Sequence, residues 1–172
     1  MSETSTLSSA DVAKLLQDPN SENRAIAARK VAATFEGAEL SDKERAIAED
    51  IFRVMLNDAA ERVRQALSES LKDNPIVPHD VAATLAKDVE AVAMPMIESS
   101  TVLTDQDLVE IVRTRGVEVQ QAVAGRKSVS EEVVGALVDT ENETVVATLV
   151  SNNNRSLHDT RTILRIRLVR NF

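Results

Sequence analysis

Side chains of matching character return at a fixed interval between Pro78 and Leu164. Leu85, Ile111, Leu137 and Ile163 stand in one register, each twenty-six positions after the last. Ala86, Val112, Val138 and Leu164 stand in the next. Leu71, Ile97, Val123 and Leu149 form a third, and Ala93, Val119 and Val145 a fourth. Small polar or turn residues keep the same beat at Pro78, Thr104, Ser130 and Ser156. One coincidence would mean little; five registers of like character mean a repeat. A period of about 20–50 residues belongs to chains built from stacked supersecondary units, because one unit cannot bury its apolar side alone. The expected fold class is all-α, a right-handed α-solenoid of antiparallel helix pairs.

Each unit reads as a helix A, a turn and a helix B. Thr104 caps A at Asp105–Arg113, Gly116 interrupts, and B follows at Val117–Arg126. Ser130 caps Glu131–Val138, and Glu143–Ser151 follows a turn at Asp139–Asn142. Asp80–Lys87 and about Ala91–Ser100 form the preceding pair, with Asp88 at its turn. Pro95 falls in that second helix and is tolerable near its first turn. Met94 and Met96 flank it as core fillers or as an adaptable contact surface.

Earlier units follow the same plan with other lengths. Phe52, Met55, Leu56 and Asp58 match Ala82, Leu85, Ala86 and Asp88 at a wider, constant offset. Ser41 and Glu44 form a capping box ahead of Ile47, Ile51, Val54 and Met55. Asn57-Asp58 ends that helix, and Ala59–Leu71 follows with Val63, Leu67, Ser70 and Leu71 inward. Ser21 is expected to cap a helix to about Phe35, with Ala25, Ile26, Ala28, Val31 and Phe35 inward. Gly37 then closes it in a left-handed conformation. A first short helix runs from Ser9 through Gln17.

Three stretches result: a flexible tail at 1–8, the repeat domain at 9–154, and a basic C-terminal segment at 155–172. That last segment reads as the A helix of one more pair, with a strand as the competing reading. It carries Arg155, Arg161, Arg165, Arg167 and Arg170 against Asp159, in a chain whose net charge is −8. So acidic a balance repels a phosphate backbone and argues against general nucleic-acid binding. With only 2% aromatic residues and no Trp or Tyr, no platform for stacked bases is present and the core must be aliphatic. The lack of cysteine excludes disulfides, thiolate metal sites and a cysteine nucleophile. No apolar run approaches the ~20 residues of a membrane span, and the N-terminus does not read as a secretory signal.

The pattern Leu56-Asn57-Asp58, Val63-Arg64-Gln65-Ala66-Leu67, Asn74-Pro75 resembles HEAT-type repeats. The order of Val81–Asp88, Val92–Ser100 and Val102–Val112 resembles an uncharacterised bacterial family, domain of unknown function 2336, over about Leu15 to Asn154. The resemblance implies an all-α, HEAT-like domain of a cytoplasmic bacterial protein. It implies no activity and no site residues.

Residues able to do chemistry have plainer roles. His79 and His158 stand at helix starts, where acid–base work would need neighbours that the sequence does not indicate. Asp105, Asp107 and Glu110 suit a helix's first turn, where the dipole favours acids, and lack the spacing of a calcium loop. Asp58 and Asp88 suit turns at the A–B junctions. No catalytic residue, cofactor or metal is expected. The function expected is non-catalytic protein–protein interaction, as a scaffold or regulatory domain, with Arg62, Arg64, Arg161 and Arg165 as candidate partner contacts. The alternative is a nucleic-acid-binding module that uses the arginine-rich C-terminal segment. An unpaired C-terminal helix would also allow a homodimer.

Overall fold

The computed structural model describes residues 17–37 and 40–152. Among them are nine α-helices and no strand. These are α1 (Ser21–Gly37), α2 (Asp42–Met55), α3 (Glu61–Leu71), α4 (His79–Ala86), α5 (Glu90–Ser99), α6 (Asp105–Thr114), α7 (Val117–Gly125), α8 (Glu131–Asp139) and α9 (Glu143–Ser151). The tail at 1–8, the helix expected from Ser9 and the segment 155–172, with Arg161 and Arg165, lie outside the described residues. The chain divides into two compact units between Met96 and Ile97, inside α5.

In the first unit α3 packs along α1, α2 touches both, and α4 lies against α3. Its core holds Val31, Phe35, Phe52, Met55, Leu67 and Leu71. Phe35 and Phe52 meet edge to face, with centroids 5.1 Å apart and planes at 79°. This geometry adds about 0.5–1.5 kcal/mol beyond area burial. The Arg45 guanidinium lies 5.4 Å from the Phe35 centroid. In the second unit α7 packs on α9 and α6 on α8, while α6 also touches α7 and α8 touches α9. Like helix therefore lies on like helix, one repeat apart.

Most of the repeating side chains are buried. Leu85, Ile111 and Leu137 are buried, as are Ile97, Val123 and Leu149, and Ala93, Val119 and Val145. Val138 departs from its register, being half-buried where Ala86 and Val112 are buried. The expected caps at Ser41, Thr104 and Ser130 form, the first two as full capping boxes.

Five local expectations fail. The α1 N-terminus is served by Asn20, whose Oδ1 accepts from Glu22 N at 2.9 Å, and Ser21 is already helical. Gly37 ends α1 within the helix, and no glycine among the described residues has positive φ. Ile47 and Val54 are exposed, because α2 turns Ala48, Ile51, Phe52 and Met55 inward at i, i+3, i+4 and i+7 spacing. Ile26 is likewise exposed. Pro95 is the sixth residue of α5, beyond its first turn. It cannot donate to the Ala91 carbonyl, and exposed Ala91 leaves that group within reach of water.

Candidate functional site

Two hydrogen-bonded devices brace the A–B turns and the B-helix ends, and a cleft opens where one of them is missing. The first is a ladder of aspartate and arginine in the first unit. Arg24 and Arg64 each follow a turn aspartate, Asp18 or Asp58, by six positions. Arg64 places Nε 2.6 Å and Nη2 3.0 Å from the two Asp88 carboxylate oxygens, and Nη1 2.7 Å from the Asp58 carbonyl. Arg24 repeats this, with Nε and Nη2 on Asp58 at 2.7 and 2.9 Å and Nη1 on the Asp18 carbonyl at 2.6 Å. Each guanidinium thus ties its own turn to the following one, in the bidentate geometry that suits a planar fork. The Arg24 hydrogen bonds hold the Asp58 carboxyl below the usual carboxylate range, against the opposing effect of burial. Asp58 also accepts from Ala60 N at 2.8 Å.

The second device closes B-helix ends in the second unit. Arg126 is buried, and its guanidinium donates to the Ile97 carbonyl and, at 2.6 Å, to the Ser100 carbonyl. One repeat later Asn152 Nδ2 donates to the Ala124 and Arg126 carbonyls at 3.2 and 2.8 Å. Carbonyls at a helix C-terminus lack intrahelical donors and favour a cation there. Burial pushes the Arg126 guanidinium down, partly offset by Asp105. Its Nε finds no acceptor among the described residues.

A cleft of about 380 Å³ lies in the second unit. Its apolar lining is Val112 from α6, Val117 from α7 and Ala136 from α8. Its polar lining is Arg113, Gln120, Asp139 and the turn residues Thr140 and Asn142. Gln120 Nε2 donates to the carbonyls of Val112 and Arg115 at 2.9 and 3.0 Å. Thr140 Oγ1 donates to the Leu137 carbonyl at 2.7 Å, and Asn142 Oδ1 caps α9 at Thr144 N and Val145 N.

Of the arginines singled out in the sequence, Arg62 is exposed and pairs with Glu22 at 3.0 Å, while Arg64 is the ladder residue, 16% exposed. Arg161 and Arg165 lie outside the described residues. Asp107 completes the α6 capping box through its carboxylate. Among the described residues no three His, Cys, Asp or Glu side chains gather as a metal site requires. No helix among them is long and apolar enough to cross a membrane. The cleft and the ladder escaped sequence reading, although the recurring aspartate–arginine spacing was a signal for the ladder.

No curated protein and no solved structure matches the chain. A family model does match, from residue 92 to residue 162. That is a later start than the resemblance from Leu15 implied, and it runs past Asn154. The family is described as an uncharacterised protein conserved in bacteria (DUF2336), and over that stretch the chain is similar to it.

Proposed function

We propose that this chain is a right-handed, HEAT-like α-solenoid that serves as a non-catalytic protein-interaction module in the bacterial cytoplasm. The observation that carries the reading is the stacking of α6 on α8 and α7 on α9 in one fixed repeat register. Stacked pairs present rows of like helices, and such rows offer an extended surface to a partner. Exposed aliphatic side chains support it: Val54 is 54% exposed and shares one side of α2 with Ile47, two turns away. Exposed Arg62 is a partner contact on this reading. Arg64 would have to leave Asp88 to serve as one. Arg161 and Arg165 would add contacts from the C-terminal segment.

Affinity capture from a bacterial lysate with cross-linking tests the module. A defined protein partner, lost when Ile47 and Val54 are both changed to aspartate in a folded variant, is the expected result. Retention of a duplex probe, lost at raised salt and on deleting residues after Asn154, would favour the nucleic-acid reading. Sedimentation of the full and shortened chains tests the homodimer.

A further inference from the structure

The cleft of the second unit stands where the first unit holds its ion pair. Counting along the repeats, Gln120 is the counterpart of Arg64 two units on, and Thr140 is the counterpart of Asp88. Arg64 bridges its own turn to the next through Asp88. Gln120 keeps the first half of that task, donating to carbonyls of its own A–B junction. It is too short for the second half, and Thr140 offers no carboxylate.

We infer that this cleft is a seat for an arginine side chain supplied by a partner protein, a deepening that rests on the interaction reading above. Both Gln120 Nε2 hydrogens are spent on backbone, so Oε1 is the atom it has left to offer, and among the described residues nothing donates to it. Asp139 adds a carboxylate at the same lining, and a carboxylate accepts from several donors at once. The Thr140 hydroxyl proton is committed to Leu137. The lining therefore favours a donor-rich, acceptor-free guest. Val112, Val117 and Ala136 suit the apolar stem that an arginine carries behind its charged fork. Arg113 opposes a cation but is exposed, and can turn to solvent.

The test is a ¹H–¹⁵N titration of the full chain with N-acetyl-arginine amide, its lysine counterpart and its neutral citrulline counterpart. Saturable shifts at the Gln120 side-chain amide, Gly116 and Thr140 are expected with arginine, and roughly tenfold weaker binding with citrulline. Gln120→Arg with Thr140→Asp rebuilds the intramolecular pair. It should abolish binding while raising Tm, which reports a folded chain. Asp139→Asn, at an exposed position, should weaken arginine binding several-fold, and Arg113→Ala should strengthen it. No saturable shift, an equal response to citrulline, or binding unchanged in the rebuilt variant overturns the seat. Failure of the probe while the chain still captures a protein removes the seat alone. An arginine response in a chain that captures no protein leaves an arginine-binding cleft but overturns a partner protein as the source of that arginine.

Discussion

Arg126 is the residue at which the cost and benefit of a buried charge are plainest. A guanidinium taken out of water must be repaid by hydrogen bonds, and here two helix-end carbonyls supply them. Truncation would strand both acceptors, each worth about 1–3 kcal/mol when buried and unpaired. Arg126→Ala is therefore expected to lower unfolding free energy by about 2–4 kcal/mol in urea titrations. Asn152 does the same work with an amide one repeat later, so Arg126→Asn should cost less than Arg126→Ala. An alanine variant as stable as the parent would show that desolvation cancels the bonds.

Helices are where sequence and structure agree most and differ most instructively. Thr104 and Asp107 exchange hydrogen bonds at the start of α6, and Thr104→Ala should cost about 1 kcal/mol, read as a lower urea midpoint. Pro95 works the other way. It removes one rung from α5, and Pro95→Ala should stabilise by about 1–3 kcal/mol and slow amide exchange around it. The caps at Ser41, Thr104 and Ser130 and most of the buried registers were legible because both depend on neighbours in sequence or on a fixed period. The rotation of α2 was not, since Ile47–Ile51–Val54 and Ala48–Ile51–Phe52–Met55 both fit a helical stripe. Tertiary packing, including the contact between Phe52 and Phe35, goes with the second. The ladder was hidden for a related reason. The steps from Asp18 to Asp58 and from Asp58 to Asp88 are unequal, and neither keeps the beat of the later units. The cleft is legible only by comparing what the ladder positions become at Gln120 and Thr140.

At the scale of the whole chain, the two units use different glue at corresponding places. The first joins successive turns by charge, through Arg24–Asp58 and Arg64–Asp88. The second has neutral Gln120 and Thr140 at those positions, and ties its B-helix ends through carbonyl oxygens, which acid does not neutralise. A carboxyl with a depressed pKa in the folded state stabilises fully above its unfolded value, about 3.9 for Asp and about 4.3 for Glu, and loses that contribution as pH falls through the lower folded value. Asp58 is such a group through Arg24, Asp80 through Arg53, and Glu44 through Ser41; all three belong to the first unit. Acidification from about pH 6 to about pH 3 should therefore expose amides of α1 and α3 to hydrogen exchange before those of α7 and α9. Asp58→Asn should flatten the acid limb of the first unit and leave the second unchanged. Simultaneous loss of protection in both, or earlier loss in α7 and α9, would mean that the ladder does not set the acid response, and that the second unit depends on carboxylates outside the turn positions compared here.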